Sequence, residues 1–224
     1  MFYKITRVLL LVTCTCTLVS AQDYRRDFEA LRKKNLSSSK IHIVMKVDAY
    51  NGESSQNPFY SQRADIKRFG TNYCYRFDKT EMLMNDKYLI LVDYENKEIV
   101  CSKRNVKGET EFFTPMNFDL DSMLSVYGHP KLVGTNGSVV NYQFNQHSEI
   151  HTIDLFIDSV KVELNKIVYH YEDGQVVIIR FEKFDTNPQI DEGDFKEDRY
   201  VVKVEGALRP STAFLNFSIS ADGL

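Results

Sequence analysis

Within "HSEIH", His147, Glu149 and His151 are the donor types that bind zinc, and His170 adds a fourth donor farther along. Zinc accepts imidazole and carboxylate at short spacing, and an extended strand puts positions i, i+2 and i+4 on one side. The surrounding "NQHSE" reads as a hairpin tip, so these residues are expected to be exposed turn groups rather than a metal site. In "DTNPQIDEGDFKED", Asp185, Asp191, Glu192, Asp194, Glu197 and Asp198 supply oxygens enough for calcium. They lack the alternation of an EF-hand loop, and the stretch reads as a solvated connection. Nucleophile elbows, phosphate loops, dinucleotide fingerprints and paired catalytic Cys and His are missing from the sequence. Nothing in it argues for an enzyme, and no cofactor is expected. The 13 Tyr and 15 Phe, with no Trp, either fill a core or, at Tyr88, Tyr142, Tyr169 and Tyr171, line the mouth of a pocket.

The elements that must carry these side chains are mostly strands. "DYRRDFEALRKKN" spaces Tyr24, Phe28 and Leu31 as the narrow apolar stripe of a charged surface helix. From Lys40 the period becomes two, with Ile41, Ile43, Met45, Val47 and Ala49 on one side. Tyr73, Tyr75 and Phe77 alternate next, followed by turns at Asn85-Asp86 and Glu95-Asn96, and the short links require antiparallel pairing. Between them Tyr88, Ile90, Val92 and Tyr94 take one face while Leu89 and Leu91 take the other, so something apolar must cover a second face.

In the middle of the chain, Asp119 or Asp121 caps a short helix bearing Met123, Leu124 and Val126, which Gly128 and Pro130 end. Six further strand-like runs follow, from "VVNYQFNQ" to "TAFLNFSIS". The expected fold is mainly β (α+β): a curved, half-open antiparallel barrel of about 10–11 strands, with short helices covering the concave side.

The ends and composition set the compartment. Lys4 and Arg7, the apolar run Val8 to Val12 and the small residues Val19-Ser20-Ala21 form a secretory signal, predicted to span 1–21, with one domain over 22–224. That run is too short to cross a bilayer, and a lipid-anchored form through Cys14 or Cys16 is the lesser alternative. A net charge of −3 and a pI near 6.0 argue against nucleic acid as a partner. Cys74 and Cys101 fall on strands that are not neighbours, so both are expected as free thiols.

Two stretches carry a family likeness. "ADIKRFGTNYCYRFDKTEMLMNDKYLILVDYENKEIV" and "VVIIRFEKFDTNPQIDEGDFKED", the latter with Asn187, Pro188 and Phe195, lie in an order of helix, meander, helix, meander. This resembles the LolA-like periplasmic lipoprotein carriers, the outer-membrane lipoprotein-sorting proteins. The chain departs from the family's Arg-Pro, since Phe69 and Gly70 follow Arg68.

The resemblance implies a periplasmic, monomeric, non-enzymatic carrier that shelters acyl chains of a lipoprotein or lipid on the way to the outer membrane. Inner- and outer-membrane transport partners would hand the cargo over. It also implies a lining of Ile43, Met45, Val47, Tyr75, Met82, Met84, Ile90, Val92, Tyr142 and Phe144, with Arg68, beside Lys67, latching a helical lid. Methionine suits such a lining because it adapts to varied chains. The alternative is a structural or interaction β-module of the envelope that docks a partner protein. A continuous apolar hollow would favour the first, and a packed interior the second.

Overall fold

The computed structural model describes residues 24–104, 120–145 and 147–222, with backbone alone for 120–123, 221 and 222. The predicted signal and the capping Asp119 lie outside the described residues. Helix α1 (Tyr24–Ser37) leads into β1 (Lys40–Tyr50), β2 (Tyr60–Phe69), β3 (Asn72–Phe77), β4 (Thr80–Met84), β5 (Tyr88–Asp93) and β6 (Glu98–Lys103). Helix α2 (Leu120–Tyr127) precedes β7 (Lys131–Asn136), β8 (Val139–Phe144), β9 (Ile150–Asp158), β10 (Glu163–Tyr171) and β11 (Val176–Asp185). The short β12 (Val201–Val204), β13 (Ala207–Pro210) and β14 (Ser218–Asp222) follow. The implied order of helix, meander, helix and meander is present. No helix among the described residues is long and apolar enough to cross a membrane.

Twelve strands form one curved sheet in the order β14-β6-β5-β4-β3-β2-β1-β11-β10-β9-β8-β7. It does not close, since β14 and β7 end it on opposite sides. The two meanders are zipped together by antiparallel pairing of β1 with β11. "KLVGTN", which lies before the first of the six runs read as strands after the helix, is strand β7 and raises the strand count above the expected 10–11.

The tail also departs from expectation. β12 and β13 pair only with each other, Thr212–Phe214 is a 3-10 turn, and β14 runs parallel to β6. The reason is packing: Tyr200, Phe214 and Phe217 are drawn across the sheet as a cover instead of extending it as strands.

The register sorts side chains onto two faces, and the protein covers each face over a different half of the sheet. On the helix face of the second meander, α1 lays down Phe28 and Leu31 on Val140, Tyr142, Phe144, Ile153, Leu155 and Ile157. This is the stripe read from the sequence. Leu124 and Tyr127 of α2 join the same cluster, whereas Val126 is exposed, so the inner side of α2 differs from the expected one. Gly128, at φ +74°, ends α2 by donating its N–H to the Leu124 carbonyl at 3.0 Å.

On the opposite face of the first meander, Leu83, Ile90, Val92, Ile99 and Cys101 pack under Phe195, Tyr200, Val201 and Phe214. The chain's own C-terminal segment therefore covers the Ile90 and Val92 side of β5. Two areas are left without such a cover among the described residues: the helix face of β3–β6, and the opposite face of β8–β11.

Candidate functional site

The helix face of the first meander is the apolar candidate, and strand register builds it. Ile43 pairs with Ile66, Ile66 with Tyr75, Tyr75 with Met82, Met82 with Leu91, and Leu91 with Val100. These six residues form a continuous row across β1 to β6, about 24 Å long at the usual interstrand spacing. Burial falls along it as far as β5, and Val100 on β6 is half-buried again. Ile43 and Ile66 are buried, Tyr75 and Met82 half-buried, and Leu91 is 39% exposed. Phe77 stacks on Tyr75 with ring centroids 6.2 Å apart.

Of the lining residues read from the sequence, Ile43, Met45, Val47, Arg68, Tyr75, Met82 and Met84 do share this face. Tyr142 and Phe144 share it too, but they lie fully buried beneath Phe28, with the Tyr142 hydroxyl donating to Asp27 at 2.8 Å. Ile90 and Val92 do not belong to it. They pair with Leu83 and Glu81 and point to the opposite face.

The correction has a physical cause. β5 is apolar on both sides, so its parity is fixed only by the aromatic cover from residues 190–217. Sequence reasoning also omitted Ile66, Leu89, Leu91 and Val100 from the lining. The second apolar side of β5, Leu89 and Leu91, was the available signal.

Arg68 closes the inner end of this face. It is buried, and its Nη2 donates to the carbonyls of Asn35, at 2.7 Å, and of Ser38, at the C-terminal end of α1. A cation there meets the negative end of the helix dipole and unfilled carbonyls. The Nε of Arg68 and the Oδ1 of Asn35 are buried without a partner. Lys67 points to the other face and pairs with Asp194 at 2.6 Å.

The groups singled out for metal chemistry are dispersed. His147 and Ile150 form an isolated bridge around the tip of the β8–β9 hairpin, and His147 packs edge-on against the Tyr127 ring. His151 lies 3.9 Å from Glu172, and His170 bridges Asp154 at 3.0 Å and Glu53 at 3.1 Å. The acidic 185–198 stretch is occupied internally: Asp191 accepts from the Gly193 N–H, Asp194 holds Lys67, and Glu197 holds Lys87 and Asn85.

On the opposite face, Glu81 is a buried hub. It accepts from Tyr200 at 2.6 Å, Tyr94 at 2.7 Å and Arg76 at 2.8 Å. Burial alone would raise its pKa, but these hydrogen bonds hold it below the usual carboxylate range. Burial and the Glu81 carboxylate push the Tyr94 hydroxyl up to about 12.

Cys74 and Cys101 are both free. β4 and β5 lie between their strands, about 14 Å by sheet spacing. Burial pushes each thiol up to about 11, with Glu81 adding to the effect at Cys74 and Glu197 at Cys101. Such thiols are not poised as nucleophiles.

No protein-family model matches the chain, and neither does any curated protein. Among solved structures, an uncharacterized conserved protein from Thermus thermophilus is similar over 89% of this chain and 99% of its own, at 11% identity and a TM-score of 0.51. That likeness shows a shared fold and no more. Looser likenesses, on which nothing is built, have TM-scores of 0.37 and 0.36. They are to a putative outer membrane lipoprotein-sorting protein domain from Vibrio parahaemolyticus (11% identity, 77% of this chain, 96% of that one) and a LolA superfamily protein from Nitrosomonas europaea (9%, 78% and 97%).

Proposed function

We propose that the protein is a non-enzymatic, monomeric carrier that shelters acyl chains of a lipid or lipoprotein against the helix face of its sheet. The observation that carries this reading is the row Ile43–Ile66–Tyr75–Met82–Leu91–Val100, a continuous line of aliphatic and aromatic side chains that is buried at Ile43 and Ile66, uncovered most at Leu91 and half-buried at Val100. Each methylene laid on it contributes about 0.8 kcal/mol, so a long chain yields a gross gain of about 10 kcal/mol. Flexible Met82 and Met45 fit chains of varied shape. Arg68, tying the end of α1 to β2, sets how readily that helix shifts as cargo enters. The LolA-like order of elements supports a place in the periplasm, on a route between inner- and outer-membrane partners, after removal of residues 1–21.

The test is binding of a fluorescent fatty acid to delipidated protein. We expect saturable micromolar binding that Leu91→Asp weakens at least about tenfold, the change in affinity worth about 1.4 kcal/mol. Absence of binding at micromolar concentrations removes the proposal.

A second reading, an interaction β-module, draws on β7. All six of its residues are exposed at a sheet edge, Leu132 and Val133 among them, and such an edge can accept a partner strand. Native mass spectrometry after periplasmic expression separates the two, since a carrier co-purifies with lipid and a module does not.

A further inference from the structure

The face opposite the helices, where the two meanders join, carries charge in an ordered way. Arg63 of β2 pairs with Lys46 of β1, Lys46 with Arg180 of β11, and Arg180 with Lys166 of β10. Four cations therefore stand side by side across four strands, in a chain whose net charge is −3. Like charges directly opposite each other destabilise a sheet unless counter-charge is supplied. The protein supplies only part of it. Arg63 is held by Glu182 at 3.1 Å, and Lys46 and Arg180 share the buried Asp48 at 3.2 and 2.6 Å.

Lys166 has no ion pair among the described residues. Its ammonium sits over the Phe156 ring, 3.9 Å from the centroid, half-buried beside Arg180. Asp154 acts on it only at longer range, and burial with the Arg180 charge lowers its pKa. The row continues through Phe156 to Asn141, whose Oδ1 is buried without a partner. Lys166, Arg180, Phe156 and Asn141 line a groove of about 840 Å³.

We propose that this groove binds a phosphorylated polyol, either free or as the head group of a lipid. The phosphate lies across Lys166 and the donors of Arg180 not used on Asp48, because a multi-oxygen anion satisfies two adjacent cations where one carboxylate satisfies one. The half-buried Asn141 amide turns its sealed Oδ1 outward to accept from a hydroxyl of the polyol. The site is separate from the apolar row and stands whether or not acyl chains bind there.

Calorimetry with glycerol 3-phosphate, and co-sedimentation with phosphatidylglycerol vesicles against phosphatidylcholine vesicles, test it. Saturable binding of glycerol 3-phosphate identifies a free ligand, and binding to phosphatidylglycerol vesicles alone identifies a head group. In either case Lys166→Gln weakens binding at least about tenfold, Lys166→Arg keeps most of it, and added salt weakens it. Lys166→Gln is expected to fold with an unchanged melting temperature. Lys46→Gln, at an exposed rung of the ladder, provides a second variant with a weaker loss. No binding of either probe up to about 10 mM phosphate groups, or binding that Lys166→Gln and Lys46→Gln leave untouched, overturns the proposal.

Discussion

A carboxylate sealed beneath two tyrosines gives the protein a specific acid response. Glu81 has a folded pKa below its ordinary 4.5. Its contribution to stability is therefore complete above that value and is lost as pH falls through the lower folded value. We expect the unfolding free energy to decline as pH drops below about 5, and Glu81→Gln to flatten that decline. At neutral pH Glu81→Gln should cost about 2–3 kcal/mol, because Arg76 and the buried Tyr200 hydroxyl lose an anionic acceptor. Denaturant titrations at several pH values check this, and an unchanged acid limb in Glu81→Gln would dismiss the assignment. The thiols give a second readout. With pKa values near 11, against 9.0 for an ordinary thiol, Cys74 and Cys101 should react with iodoacetamide at pH 8 on the order of 100-fold more slowly than in the unfolded chain.

Helix α1 shows how an element's role could be read before its partners were known. The spacing of Tyr24, Phe28 and Leu31 announced a single buried edge, and the alternation of Val140, Tyr142 and Phe144 announced the face that receives it. Phe28→Ala should destabilise the fold by about 3–5 kcal/mol, measured by thermal or urea unfolding, because the ring contacts both Tyr142 and Phe144. A loss below about 1 kcal/mol would mean that α1 packs only loosely.

β5 shows where such reading stops. Leu89 and Leu91 match Ile90 and Val92 in hydrophobicity, so no local pattern says which pair faces a core. The answer comes from residues more than a hundred positions away, Phe195, Tyr200 and Phe214. The cation ladder was equally hidden, since Arg63, Lys46, Arg180 and Lys166 become neighbours only through the β1–β11 pairing that joins the meanders. The 200–217 stretch reads as more strands because Tyr200, Val202 and Val204 alternate, yet the rings of Tyr200, Phe214 and Phe217 serve as a lid over the sheet.

At the scale of the molecule, a single sheet is given two main cores, one on each side and at opposite halves, with a small cluster of Ile41, Ile43 and Ile66 on β1 and β2. Removing the cover should reveal this division. Protein ending at residue 189 would leave Ile90, Val92 and Ile99, all at 0% exposure in the full chain, open to water. We expect it to bind a hydrophobic dye and to aggregate. A truncated protein that stays monomeric with native-like melting would show that the C-terminal segment is dispensable. By contrast, Leu91→Asp on the other side of the same strand should leave the melting temperature nearly unchanged, since Leu91 is already 39% exposed.

The parallel pairing of β14 with β6 joins Ser218–Asp222 to residues made more than a hundred positions earlier. During synthesis the first meander must wait, with its outermost strand unpaired, until this late segment emerges. The interval is a window in which a chaperone or a sister chain can occupy the same edge. Closing it belongs to a late stage of assembly, because so distant a contact, like the β1–β11 pairing, carries a large loop-closure cost.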